Sequence, residues 1–231
     1  SRGTEAVLNA LILTSGANQD RRELSEATRN AFRQLWQTQR SDGAWDWLDF
    51  GLEPFETVDA TYHGAPLAAI AVATALASPE NQLPDVTAGN EKLRDYLQEK
   101  YSTQSLFNQT WLLLASTRWK DLLSTAQREA LIHELENRQR DDGGWSLVSL
   151  ASGRWSNSST PYRPPGTLDE SLIQGSDAYA TGLIVYTLRE AGVSVEQPVA
   201  SKGLEWLRAH QQDIQLNERV HRAWRAPSLN F

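Results

Sequence analysis

Gln39-Arg40-Ser41-Asp42-Gly43-Ala44-Trp45 returns one hundred residues later as Gln139-Arg140-Asp141-Asp142-Gly143-Gly144-Trp145. Five of the seven positions are identical and a sixth exchanges one small residue for another, so the chain is built by repetition. Each copy follows apolar residues at three- and four-residue spacing, Ala31, Leu35 and Trp36 before the first and Ala130, Leu131 and Leu135 before the second. That is the stripe of an amphipathic helix. The helix is expected to stop at the Gln, and Asp-Gly to supply the turn with Gly at positive φ. The Trp is expected to fold back over the Gln side chain.

Working outward, Gly203-Leu204-Glu205-Trp206-Leu207 leads to Gln211 and Gln212 and then, after a longer spacer without Asp-Gly, to Trp224. It reads as a degenerate third copy. Leu93-Arg94-Asp95-Tyr96-Leu97 has the helix without the terminator, which brings the underlying unit nearer 50 residues than 100. Amphipathic segments at 24–39, 90–100, 124–139 and 200–212 alternate with more apolar ones at 56–77, 106–117 and 176–191. They are expected to be the outer and inner helices of two layers, with an inner helix at 5–13. No stretch sustains the two-residue alternation of a strand. The predicted fold is all-α, built of helical hairpins, as one domain over residues 1–231.

Composition narrows the chemistry. The 231 residues carry a net charge of −7 and include no Cys and no Met. Thiol catalysis and thiolate metal sites are excluded. Without a Lys/Arg run to neutralise phosphates, nucleic acid is not an expected partner. The longest apolar stretch, 65–77, is well short of the roughly 20 residues that span a bilayer, so no transmembrane segment is expected. Starting at Ser1 without Met, the chain reads as processed or as a fragment. The compartment is not fixed, although missing Cys and Met lean toward a periplasmic or secreted one.

The two Gln-x-x-Asp-Gly-x-Trp blocks resemble the QW repeat of squalene-hopene and oxidosqualene cyclases and of protein-prenyltransferase β-subunits. The order of outer helix, QW turn and inner helix extends over nearly the whole chain. The resemblance implies an α/α toroid whose inner helices surround a central cavity, suited to an isoprenoid or lipid-like ligand. It implies a scaffold role for Gln39, Trp45, Gln139 and Trp145, tying one helix end to the next. The activity transfers less well. The cyclases' Asp-x-Asp-Asp acid is absent, and the prenyltransferases' Asp/Cys/His zinc set cannot be completed without Cys. No metal or cofactor is expected, and whether the chain is an enzyme stays open. The next inner helix is due where the sequence stops, so the expected toroid is cut short at its C-terminal end.

Two inner segments begin alike, Asp59-Ala60-Thr61-Tyr62-His63-Gly64 and Asp177-Ala178-Tyr179-Ala180-Thr181-Gly182. On one reading Asp59, His63 and Asp177 form a catalytic group at a cavity rim, with His63 titrating near neutrality. Tyr62, Tyr179 and Trp155 would then touch the ligand. On the other, Asp59 and Asp177 cap helix starts and the tyrosines pack. Trp47, Trp111 and Trp119 either line a cavity or fill the core, and the long segment 146–175 is either a lid or a surface loop. His133, His210 and His221 are expected at the surface. Three functions follow: binding of an apolar ligand by a terpenoid-cyclase-like domain, a protein-interaction module within a larger assembly, or a glycan-processing toroid with Asp59 facing Asp177.

Overall fold

The structure, a computed structural model, describes residues 1–15, 24–50, 54–56, 60–77, 86–151, 175–217 and 219–224. Asp59 and Trp155 lie outside them, as does most of the 146–175 segment. The described residues are mostly helical. The chain divides into two compact units, Ser1–Ser124 and Thr125–Phe231, and each carries one copy of the repeated turn.

The first unit holds α1 (Arg2–Ser15), α2 (Glu26–Gln37), α3 (Ala60–Leu76), α4 (Val86–Lys100), a 3₁₀ turn at Tyr101–Thr103 and α5 (Leu106–Arg118). Ser25 starts α2 by accepting the Thr28 N–H, and Ala31, Phe32 and Leu35 form its buried stripe. Helix α3 is apolar on every side and buried along most of its length, packed between α1 and α5. Helix α1 buries one face only. Leu8, Ile12 and Leu13 stay exposed, in contrast with the all-round burial expected of an inner helix.

The second unit holds α6 (Thr125–Asn137), a single turn α7 (Leu147–Leu150), α8 (Ala178–Glu190) and α9 (Pro198–Ala209). Two strands follow, β1 (Gln212–Leu216) and β2 (Arg219–Ala223), which pair antiparallel as a hairpin. The mostly helical structure meets the all-α expectation in its coarse form, and this small hairpin is where the described residues depart from it. It turns at Asn217, whose φ of 48° is the left-handed conformation that Asn tolerates best after Gly. Its strands are exposed nearly throughout, so no buried face imposed a two-residue pattern on the sequence.

The repeated turns share one set of hydrogen bonds. Gln39 and Gln139 each lie two residues past the last helical residue, where their backbone N–H groups reach back to Trp36 O and Glu136 O. Arg40 N–H donates to Ala44 O at 2.8 Å and Arg140 N–H to Gly144 O at 3.0 Å, closing the loop around Gly43 and Gly143 at φ 95° and 89°. The Gln39 side-chain amide donates to Gly43 O and to Gly89 O in α4, and that of Gln139 to Gly143 O and to Val199 O in α9. The indole N–H of Trp45 donates to Leu35 O and that of Trp145 to Leu135 O, each at 2.8 Å. Both indoles are fully buried. The Trp therefore bonds a carbonyl in the last turn of its own helix, and the Gln ties the turn to the next amphipathic helix.

No helix among the described residues is long and apolar enough to cross a membrane.

Candidate functional site

His63 lies in the first turn of α3 and is 5 % exposed. Gly64 beside it allows the Trp47 ring to lie against the helix where a Cβ would collide with it. Trp47 is pinned by its indole N–H, which donates to Phe55 O at 2.8 Å. Helix α5, started by Ser105 accepting the Asn108 N–H, brings Phe107 and Trp111 to the same place, four residues apart on one face. The imidazole stacks on Phe107 at 5.2 Å between centroids and meets the edges or faces of Trp111, Trp47 and Phe55 at 5.6, 5.8 and 5.9 Å.

Polar groups in this aromatic enclosure are few and incompletely paired. Nδ1 of His63 and the indole N–H of Trp111 are buried without a hydrogen-bond partner among the described residues, as is Oδ1 of Asn108 on the same helix as Trp111. Burial pushes the His63 pKa down to about 3. This replaces the expectation of a near-neutral titration, because desolvation disfavours the imidazolium. At neutral pH His63 is an uncharged ring with one unsatisfied nitrogen, a weak base but a hydrogen-bonding point in apolar surroundings. Its neighbour Tyr62 is turned to another use. The Tyr62 hydroxyl donates to Leu97 O near the end of α4 at 3.0 Å, and burial raises its pKa.

Asp177 is in the second unit and caps α8. One carboxylate oxygen accepts the Ala180 N–H and the other the Leu147 N–H, both at 2.8 Å, and the residue is 1 % exposed. Of the two readings of the Asp177-to-Gly182 run, capping is the one its bonds express. Tyr179 follows in the first turn of α8, partly exposed. His63 and Asp177 thus stand in different units, and Asp59, which the sequence placed beside His63, is outside the described residues. His133, His210 and His221 are all exposed. Trp119 lies under the Arg94 guanidinium, 5.6 Å from its ring centre. Among the described residues no three His, Asp or Glu side chains gather to hold a metal.

Phe55 and Phe107 were not singled out by sequence reasoning. Phe107 carried a usable signal, its four-residue spacing from Trp111 on an apolar helix, whereas Phe55 sits in an irregular stretch with no periodicity to mark it.

A second cluster borders the turn of the second unit. Asp142 Oδ1 accepts from Gly144 N–H and the Ser176 hydroxyl, and Oδ2 from the Trp206 indole. Burial pushes this carboxyl's pKa up, but those three hydrogen bonds and the nearby Arg140 outweigh it, and the net shift is downward. Beside it is a surface hollow of about 310 Å³, bordered by Lys202, Glu205 and His210, with His210 stacked on Trp206 at 4.0 Å.

Comparison of the chain with protein-family models, with curated proteins and with solved structures finds no match.

Proposed function

We propose that the chain is a squalene-cyclase/prenyltransferase-like α/α-toroid domain that takes up an isoprenoid or another apolar ligand. The observation that carries the binding reading is the enclosure of His63 by Trp47, Phe55, Phe107 and Trp111. Aromatic faces accept apolar chains with a large gain from buried area. Nδ1 of His63 and the N–H of Trp111, without a partner among the described residues, supply an acceptor or donor for a single polar end group on such a ligand. The hydrogen bonds that the two turns share support the likeness to QW repeats. The reading is one of binding. His63 at a pKa of about 3 is a poor proton donor or acceptor near neutrality, and Asp177 is engaged by backbone N–H groups on both oxygens. The same engagement gives the glycan-processing reading no support.

The test is uptake of squalene and of farnesyl diphosphate, followed by tryptophan emission and by native mass spectrometry of the intact chain. Trp111→Ala is expected to weaken uptake at least tenfold. If the wild-type chain takes up neither compound, the ligand reading is wrong.

A second reading, a partner-binding module, is favoured by a separate observation. The hairpin and the residue after it expose Ile214, Val220 and Trp224, at 38, 68 and 47 % of their surface.

A further inference from the structure

Three polar atoms of the first unit are buried without a hydrogen-bond partner among the described residues and belong to the His63 enclosure or the helix that walls it: Nδ1 of His63, the indole N–H of Trp111 and Oδ1 of Asn108. A buried polar atom left unpaired costs more than a hydrogen bond returns, so a cluster that keeps several calls for something else to complete it. His63 and Asn108 are 5 and 4 % exposed, whereas Trp47, Phe55 and Trp111 around the imidazole are only half-buried. The polar atoms therefore lie inside the cluster, and three of the rings that wall it reach the surface.

The segments that build this enclosure carry no cation. From residue 41 to residue 91 the sequence has no Lys or Arg, and none occurs from 101 to 117. Asp46, Asp49 and Glu56 flank Trp47 and Phe55 instead. Along α5 the first basic residue after Trp111 is Arg118, two helical turns on, or about 10 Å along the axis. Among the described residues burial alone lowers the His63 pKa, with no charged group acting on the ring. An anionic end group, a diphosphate or a carboxylate, would pass carboxylates to reach an interior with no guanidinium or ammonium to offset its desolvation. A plain hydrocarbon would leave every polar atom unpaired. An ammonium group would be drawn by the ring faces and the carboxylates, but it only donates, and would set its protons against the Trp111 N–H.

We infer that the enclosure recognises an uncharged alcohol, its hydrocarbon body against the four rings and its single hydroxyl held by Nδ1 of His63 and the N–H of Trp111. The hydroxyl oxygen accepts from the indole N–H, and its proton is free for Nδ1. Where Nδ1 itself carries the imidazole proton, the oxygen's second lone pair accepts it and the hydroxyl proton is left for Oδ1 of Asn108. A hydroxyl is matched with either tautomer, whereas a carbonyl oxygen, which only accepts, is matched with one. The His63 and Trp111 ring centres are 5.6 Å apart, less than the roughly 6 Å that two hydrogen bonds through one oxygen span. This inference rests on the ligand-binding reading and narrows it from an apolar ligand with a polar end to an alcohol.

The test titrates the intact chain with farnesol, farnesene and farnesyl diphosphate, which share a hydrocarbon chain and differ at its end, followed by tryptophan emission and native mass spectrometry. Farnesol is expected to bind at least about tenfold tighter than farnesene, since a site built to hydrogen-bond a hydroxyl discriminates strongly against the analogue that lacks it. Farnesyl diphosphate is expected to bind no tighter than farnesene. His63→Phe and Trp111→Phe each keep a ring in place and remove one polar partner. Both are expected to bring farnesol down to the level of farnesene while farnesene uptake persists, which also reports that the enclosure still forms. The wild-type ranking needs neither variant. Farnesol bound no tighter than farnesene, as when a buried water completes the same atoms, overturns the alcohol assignment and leaves the ligand reading standing. Farnesyl diphosphate bound more tightly than farnesol, or a farnesol preference that survives both substitutions, overturns it as well. Uptake of none of these compounds, nor of squalene, removes the ligand reading and the alcohol with it.

Discussion

At the scale of single residues, the three tryptophans that bond helix-end carbonyls do one job in two environments. Trp45 and Trp145 are fully buried, so replacing either by Phe leaves a cavity and removes a buried hydrogen bond together. Each loss is expected to be about 2–3 kcal/mol. Trp224→Phe removes the same bond at a half-exposed site where water replaces it, and is expected to cost under about 1 kcal/mol. Urea unfolding of the three variants checks this ranking, and equal losses would contradict it. The repeated Trp was legible from the sequence; its partner was not. A helix-end carbonyl is a backbone group with no letter of its own, so the sequence marks which residue is repeated without marking what it bonds.

At the scale of the elements, glycine separates turns that are packed upon from turns that are open. Gly43 at φ 95° has the Lys92 carbonyl inside van der Waals contact of any added Cβ, and Gly143 at φ 89° has the Lys202 carbonyl at 2.9 Å. Gly192, which follows α8, has φ 97° and nothing within 4 Å. Gly43→Ala combines left-handed strain with displacement of α4 and is expected to cost at least about 3 kcal/mol, whereas Gly192→Ala bears only the strain, about 1–2 kcal/mol. Gly182 within α8 also faces open space, so Gly182→Ala is expected to stabilise by about 0.5–1 kcal/mol. Thermal and urea unfolding distinguish the three. Helices α2 and α9 were legible because their apolar residues keep one period over three turns, and α3 because it is a long run apolar on every side. The hairpin was not, because it buries neither face. The aromatic enclosure of His63 was legible in part. Trp47 and Trp111 stood out as unassigned aromatics, but which rings meet depends on how α3 and α5 pack, and periodicity does not encode that.

For the whole molecule, acid separates the two units, because their perturbed groups titrate in different ranges. His63, in the first unit, is neutral in the fold down to a pKa of about 3, while in the unfolded chain it protonates near 6.5. Between those values the unfolded state binds more protons, so His63's contribution is complete above pH 6.5 and is lost as the pH falls toward 3. A gap of this size corresponds to a loss on the order of 5 kcal/mol by the lower limit. Asp142, in the second unit, has a pKa below its ordinary 3.8, so its contribution survives until the pH drops below that value and is lost under it. Each unit has its own core, so the first is expected to unfold at higher pH than the second. Hydrogen exchange resolved by segment from pH 7 to 3 follows the two separately. His63→Phe keeps a ring in the enclosure and removes the titrating nitrogens, and is expected to shift the acid transition of residues 1–124 downward by about one pH unit or more while leaving that of 125–231 in place. A single transition shared by both units, unmoved by His63→Phe, would show that desolvation of this imidazole is not what limits the first unit in acid.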